Sequence, residues 1–534
     1  MKKHKRKNIK RNNYTARREV INKGFSEAGA SIEKKVFKRW NASSGSANED
    51  IHYNLQRLRE RSRSLSMNGG LALSALKTNR TNVIGCGLIY KAKIDKEVLG
   101  LTNEEAIRWQ NNAEREFSLW ADNKRNCDSV GMNDFYKMQQ LVFLSSEQSG
   151  DCVTVLQHDS KSVNTMNPYS LKLNVVEADR ISTPNTYSNG IYTLTDGYNK
   201  GNKHRIYDGV EVDEAGKIVA YHICNKHKNE FNGDPIDWVR VSAYGEKTGL
   251  PNIIHTVSDI ERPGQYRGIP ILAASIEKLK QVDRYTSAEL MAALVEALFT
   301  AFIKTESTDD AMPMSDTETD EGTGPPLDDS EYAMGSGTVL KLRPGEDVSF
   351  GDPKRPSGGF TSFVEMAATL VGSSMEIPKE LLLKEFNSSY SASRAALLEF
   401  WKSVKMKREW FVSDFCRPIL EVWMYEAVAL GRLNAPGFLD NPIVRQAWLG
   451  ADFVGPSQGM LDPTKEITAE QMMCENGFSS RADSAIRLNG SEYYRNIESL
   501  KSENEALNET TNSSISDVVK SEYVKKGAGG GTSE

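Results

Sequence analysis

At 534 residues the chain has room for several domains or one large elongated subunit. A hydrophobic share of 39% and a charged share of 26% describe a folding, soluble chain and exclude disorder along its whole length. The formal net charge of -5 is small for this size, so no global field announces nucleic acid or membrane.

The distribution of charge says more than its sum. The first forty residues carry fourteen Lys and Arg against three acids, Glu19, Glu27 and Glu33, whereas Thr305 to Leu340 has no Lys or Arg at all. Met1 to about Asp50 reads as a basic, flexible arm that runs into the polar stretch Asn41 to Asn48. Lys and Arg clusters of this kind gain affinity for phosphates by releasing counterions, or serve as a plain solvated tail. The arm lacks the apolar core of a signal peptide. The six cysteines are widely spaced without a CxxC pair, which fits reduced, buried thiols better than a disulfide framework.

Asn54 to Lys77 has helical spacing through Leu55, Leu58 and Leu65, with a break at Gly69-Gly70. Asn103 to Trp120 is a second predicted helix, with Thr102 as N-cap and Glu105 as its capping-box partner. A third spans Asp134 to Ser149. From Asp151 to Ser258 the period changes to two. The predicted strands are Asp151–Gln157, Leu171–Ile181, Gly209–Val212, Lys217–Cys224, Trp238–Tyr244 and Asn252–His255. Asp213-Glu214-Ala215-Gly216 between two of them is a hairpin signal. His222, Cys224 and His227 lie close in sequence, but no fourth ligand stands nearby, and a structural zinc site has four.

The stretch Glu261 to Lys304 organises the rest. Arg262-Pro263-Gly264 and Arg267-Gly268-Ile269-Pro270 form a stiff turn, because each proline fixes φ and disfavours helix before it. Beyond it Ile276, Leu279, Val282, Leu290, Leu294, Ala297 and Ala301 recur at helical spacing. A helix over Ala273 to Lys304 would be about 50 Å long. Its most apolar run, Leu290 to Ile303, is short and contains Glu296, so a membrane span is rejected.

An acidic segment follows, with Asp309, Asp310, Asp316, Glu318, Asp320, Glu321, Asp328 and Asp329 interrupted by prolines and glycines. Carboxylate clusters can bind divalent cations, but the spacing is not that of an EF-hand, and an exposed loop is the simpler reading. Gly337 to Leu342 is a short predicted strand and Gly345-Glu346-Asp347 a turn.

Phe360 to Ser373 is the next predicted helix, through Phe363, Met366, Ala367 and Leu370. A loop from Glu376 to Tyr390 carries Lys379, Lys384 and Asn387. Ala392 to Arg432 is a very long helical stretch rich in aromatics, which Pro418 should kink near Asp414 to Arg417. Asp462 and Pro463 read as N-cap and first-turn proline of a later helix. Beyond Leu500 the composition predicts disorder.

Catalytic signatures are missing: there is no GxxxxGK[ST], no GxSxG and no HExxH. The sequence therefore predicts neither a catalytic residue nor a cofactor or metal site. Four pieces instead resemble the portal proteins of lambda-like tailed bacteriophages. They are ERPGQYRGIP, LKQVDRYTSAEL, NSSYSASRAALLEFW and GPSQGMLDPTKEITA, in the family's chain order and reaching from about Asn54 to Leu500.

The resemblance implies an α+β portal fold assembled as a ring, with helical stem and crown, a β-rich wing and a small α/β clip. On that pattern residues 1–50 are the arm, 51–260 the wing, and 261–304 the hinge and first stem helix. Residues 305–357 are the clip, 358–375 the second stem helix and 376–391 the tunnel loop. Residues 392–454 are the long kinked helix and the return to the wing, 455–500 the crown, and 501–534 a disordered tail. Arg262, Pro263, Gly264, Arg267, Gly268 and Pro270 become the hinge. Lys379, Lys384 and Asn387 become candidates for touching DNA, and the acidic residues become a docking surface. A channel that lets DNA slide should not be wholly basic, since every phosphate contact adds grip. The implied partners are other copies of the chain in a ring, usually twelve, with double-stranded DNA and terminase. Major capsid and scaffolding proteins and head–tail connector proteins complete the set, with no membrane. The implied location is the capsid portal vertex of the virion, after assembly in the host cytoplasm. Two rival readings stand beside this one: a metal-dependent nuclease using the acidic 306–331 segment, and a monomeric DNA-binding adaptor using the basic arm.

Overall fold

The computed structural model describes residues 34–510, apart from 185–195, 200–202, 298–300, 306–345, 351–358 and short gaps at 38–39, 41, 43, 228, 231–232, 234, 387–388, 460–461 and 492. Helix α1 (Ala47–Asn68) begins inside the stretch expected to be a flexible arm. The reason is a capping box: the Ser46 hydroxyl accepts from the Glu49 amide while the Glu49 carboxylate takes the Ser46 amide. Gly69 ends α1 and separates it from α2 (Gly70–Val83), where the Gly-Gly pair predicted a break. Helical turn α3 (Lys96–Leu99), α4 (Asn103–Ala121), turn α5 (Lys124–Cys127) and α6 (Phe135–Ser149) follow. Thr102 and Glu105 make the expected capping box on α4, and Asp134 caps α6.

Strands β1 (Ile89–Ala92) and β2 (Asp151–His158) to β9 (Ile253–Val257) build the sheet region. Between the last two lie β3 (Leu171–Val176), β4 (Asp196–Asn199), β5 (His204–Tyr207), β6 (Val210–Val212), β7 (Ile218–Cys224) and β8 (Trp238–Ser242). One antiparallel sheet has the order β3-β2-β9 and a second the order β4-β5-β6-β7-β8. The β6–β7 hairpin turns at Asp213, whose side chain accepts from the amides of Ala215 and Lys217. The predicted strand over Leu171–Ile181 stops at Val176, because Ala178–Arg180 forms a 3₁₀ turn.

The first long helix, α7 (Ile276–Ala297), has 22 residues and is therefore about 33 Å long, shorter than the expected rod. Ala301 to Lys304 are not helical. They belong to β10 (Ala301–Thr305), which pairs antiparallel with β11 (Glu346–Phe350). Glu346 and Asp347 are thus strand residues rather than a turn. Phe302, Ile303 and Val348 favour a pleated ladder, and cross-strand pairing overrides the helical spacing of the alanines. The predicted strand at Gly337 to Leu342 lies outside the described residues.

Helix α8 (Phe360–Ser373) has the predicted bounds. The loop after it contains a helical turn, α9 (Lys379–Leu383), which Lys384 closes in a left-handed conformation at φ 59°. Helix α10 (Tyr390–Phe411) runs through a π-helical turn, Val412–Cys416, into α11 (Arg417–Ala429). Pro418 has no amide to donate, and the wider π turn just before it absorbs the missing bond. After α12 (Pro442–Trp448), β12 (Ala451–Val454) pairs with β1. Helices α13 (Pro463–Glu475), capped by Asp462 as predicted, α14 (Arg481–Asn489) and α15 (Tyr493–Thr510) end the described chain. The helical order of α15 to Thr510 corrects the expectation of disorder from residue 501.

The main core gathers Phe117, Trp120, Phe135, Phe415 and Trp423, with Phe117 edge-on to Phe135 and to Trp423. Of the aromatics on the long helical stretch, Trp401, Phe411, Phe415 and Trp423 are core, and Trp410 is exposed. Among the described residues no helix is long and apolar enough to cross a membrane.

Candidate functional site

The segment Glu261–Pro270 is the structural centre of the chain. Arg262 reaches back to the start of α1, bonding the Asp50 carboxylate at 2.6 Å and the Gly45 carbonyl at 3.0 Å. The Gly264 carbonyl accepts from Asn48, whose side-chain oxygen takes the Tyr266 amide. Gly264 stands at φ 77°, as the tight turn after Pro263 requires.

Arg267 is the buried part of this turn. Its Nε and Nη2 donate to the two oxygens of Asp151 at 2.7 and 3.0 Å. The remaining donors go to the carbonyls of Ile181, Ala178 and Asp208, so the whole guanidinium is satisfied. Asp151 also takes Arg59 of α1 at 2.9 Å and the Gly268 amide at 3.0 Å. Burial alone would disfavour the Asp151 charge, but the Arg267 and Arg59 guanidiniums outweigh it and hold the carboxyl well below the usual carboxylate range. Gly268 presses on Gly150: a Cβ built on Gly268 would lie 1.9 Å from the Gly150 carbonyl oxygen. Two strands of backbone therefore meet here with no room for a side chain.

Pro270 leads to the Ile271 amide, which donates to the Glu147 carbonyl at 3.0 Å. Next the Ser275 hydroxyl meets that of Ser374 at 2.5 Å, tying the start of α7 to the end of α8. Above this root, Tyr285 packs on Phe360 and Phe363. Leu279 and Val282 are buried as predicted, but Leu290 and Leu294 are 63% and 50% exposed. On α8, Ala367 is buried while Met366 and Leu370 are exposed. The two long helices thus pair along one side and leave a second apolar side facing outward.

The loop candidates separate. Lys379 pairs with Glu365 of α8 at 3.4 Å. Lys384 donates to the Thr78 hydroxyl of α2 at 3.1 Å. Asn387 lies outside the described residues, as do Asp309, Asp310, Asp316, Glu318, Asp320, Glu321, Asp328 and Asp329. His222 bonds the buried Glu211 carboxylate at 2.9 Å, which His204 and Arg240 also contact. His227 lies 3.8 Å from Asp179 instead. Among the described residues no cluster of His, Cys, Asp or Glu is arranged to hold a metal ion.

Sequence reasoning missed Asp151, Arg59, Asp208 and Glu147. A signal existed for Arg59: the buried stripe Ile51, Leu55, Arg59, Ser62, Leu65 of α1 is apolar at both ends and polar in the middle. A charged residue at such a position implies a buried partner.

A model of the family described as "Phage portal protein, lambda family" matches residues 33–408. The chain belongs to that family. Portal protein B of Escherichia phage lambda is 21% identical over 473 residues, which span 86% of this chain and 85% of that one. The portal protein of Escherichia phage N15 is 22% identical over 457 residues, 83% of this chain and 82% of that one. A probable portal protein of Halomonas phage phiHAP-1 is 26% identical over 422 residues, 78% and 75% of the two chains. Among solved structures, a chain from the neck of a native gene transfer agent particle is similar at 13% identity and a TM-score of 0.39. That match covers 80% of this chain and 94% of that one. As a phage portal protein, the chain has a mixed helical and antiparallel-sheet fold in which ERPGQYRGIP joins the sheet region to α7.

Proposed function

We propose that this portal protein assembles as a dodecameric ring at one vertex of the capsid. The ring conducts double-stranded DNA inward during packaging and outward during ejection. It docks the terminase motor first and head–tail connector proteins afterwards, with capsid and scaffolding proteins around its rim. The chain works here as a structural subunit, not an enzyme, and acts in the virion after assembly in the host cytoplasm.

The observation that carries the ring is the outward apolar side of the two paired helices. Leu290, Met291 and Leu294 on α7 and Met366 and Leu370 on α8 are all exposed in the single chain. Exposed apolar residues gathered on two paired helices mark an interaction surface, and equivalent helices of neighbouring copies would cover them. Helices α7 and α8 then serve as the stem, with β10 and β11 at the entrance to the clip. The acidic residues 309–329 supply a surface complementary to a basic partner. The Arg262-to-Pro270 segment serves as the joint between wing and stem. Its buried Arg267 makes that joint stiff, so the stem is set at a fixed angle by the wing. Lys379 and Lys384 stand in the tunnel-loop position. Their partners, Glu365 and Thr78, leave them a weak hold on a passing duplex.

Electron microscopy of the purified full-length chain tests this reading. Closed rings with an axial channel are expected; monomers at every salt concentration tried would overturn it. Magnesium-dependent cleavage of DNA that stops on replacing Asp309 and Asp310 would move the function to a nuclease.

A further inference from the structure

A groove of about 210 Å³ opens where α7 and α8 root in the sheet region, between α6, the end of β9, the 269–274 segment, the 374–376 turn and α10. Its floor is apolar, with Phe143, Met375 and Phe411, and Met406 and Trp410 of α10 stand at its edge, 38% and 42% exposed. Its rim is acidic. Asp259 and Glu261 are exposed and have no ion-pair partner among the described residues. Glu376 already takes the one cation of the lining, the Lys407 ammonium 3.5 Å away. A space of roughly 150 Å³ holds a benzene ring, so this groove suits one aromatic side chain, and its rim suits a basic flank.

The same chain carries such an element and leaves it uncovered. In residues 34–40 the Phe37 amide donates to the Lys34 carbonyl at 2.9 Å and the Trp40 amide to the Phe37 carbonyl at 3.0 Å. These turns bring the Phe37 and Trp40 rings together, stacked at 5.8 Å between centroids. Val36 is 81% and Trp40 68% exposed, and Lys34 and Lys35 beside them are exposed as well. Neither Phe37 nor Trp40 lines the groove of its own chain.

We propose that residues 34–40 of one copy dock in this groove of the next copy. Trp40 takes the apolar floor beside Trp410, and Lys34 and Lys35 meet the Asp259 and Glu261 carboxylates. The inference rests on the ring reading and gives the ring a second contact besides α7 and α8. A closed ring of identical copies needs two different patches on each copy that complement one another, and a projecting turn and a groove are such a pair. Position supports the match. Trp40 lies five residues before Gly45, whose carbonyl is bonded to Arg262 at 3.0 Å, and Glu261 of the rim is the neighbour of Arg262. Five residues span at most about 18 Å, so turn and groove sit at one level of the subunit, as a lateral contact within a ring requires.

Cross-linking of full-length rings tests the contact. Heavy-isotope and ordinary chains are mixed before assembly, and lysines are then joined to adjacent carboxylates with a zero-length carbodiimide. Mass spectrometry should find Lys34 or Lys35 joined to Asp259 or Glu261, with pairs of mixed isotope among the products. Trp40→Ala should keep the circular dichroism spectrum and raise the protein concentration at which half of the chains are in rings about tenfold, the loss of one aromatic anchor. Asp259→Lys with Glu261→Lys should weaken the ring in the same direction, and adding Lys34→Glu with Lys35→Glu should restore it. Cross-links confined to chains of a single isotope would place the turn in its own groove and overturn the proposal. Rings that lack the cross-link, or that ignore both variants, would overturn this contact and leave the ring standing. Monomers under every condition would overturn the ring and this contact together.

Discussion

Asp151, the first residue of β2, binds Arg267 through both carboxylate oxygens, at 2.7 and 3.0 Å, with neither side chain reaching solvent. The pair joins the sheet region to the segment that launches α7. Replacing Arg267 by Met would leave a buried carboxylate with Arg59 as its remaining arginine partner. Such a break costs about 3–5 kcal/mol. Chemical denaturation followed by tryptophan fluorescence should show the loss, and Arg267→Lys should not recover it, because an ammonium cannot reproduce the forked bond to Asp151. The Asp151 carboxyl is held below its ordinary value, so its stabilisation is complete above the ordinary value. It is lost only as pH falls through the lowered one.

Gly268 and Gly150 make a second, independent test of the same joint. Gly268→Ala places a methyl against the Gly150 carbonyl, which is backbone and cannot rotate away. Destabilisation of about 1–3 kcal/mol is expected. A thermal scan showing no change would mean that the two segments separate easily.

The meeting of Ser275 and Ser374 at 2.5 Å predicts a productive cross-link. In the double variant Ser275→Cys, Ser374→Cys the sulfurs fall within reach of a disulfide of about 2.05 Å. Mild oxidation should remove both thiols from titration with a thiol reagent. Thiols that stay reactive would place the roots of α7 and α8 further apart.

Glu147 makes stability depend on pH in the opposite sense to Asp151. Its carboxyl is raised from 4.5 to about 7 by burial. The folded state therefore holds its proton more tightly than the unfolded chain. Stability is fully present below about pH 4.5 and falls as pH rises towards about 7, by about 3 kcal/mol in all. The difference in unfolding free energy between the protein and Glu147→Gln, measured across that window, should shrink by this amount. A flat difference would mean that Glu147 is charged at no cost.

Leu290 and Leu294 should matter for assembly and little for the fold of one chain, since both are at least half exposed. Leu290→Asp with Leu294→Asp should keep the circular dichroism spectrum while shifting native mass spectrometry from rings to monomers. Rings of unchanged stability would place the subunit contacts elsewhere.

Local chemistry made much of this legible in advance. The capping boxes and N-caps at Thr102, Asp134 and Asp462 act within one helical turn, so the residues that decide them are neighbours in sequence. The same holds for the Asp213 turn and for the Gly69 break. Strands β4 and β5, and the β1–β12 pair, escaped notice. The last joins residues more than 350 positions apart, with four residues on each side and no strong alternation to announce them.

By itself the sequence determined the family, the order of helical and sheet regions and the stiff turn that divides them. The family follows from the resemblance of four motifs in chain order, and the rest from periodicity, capping and proline geometry, which are short-range. Only the tertiary structure decided that Arg267 is buried rather than a surface turn residue. The same holds for the shift from α7 into β10 near residue 300, and for the outward face of Leu290 and Leu294. Each of those depends on what a distant segment brings to the site: the Asp151 carboxylate, the β11 ladder, the packing surface of α8. The turn Glu261–Pro270 carries both kinds of information, its shape written in its own prolines and glycines and its rigidity supplied by Asp151.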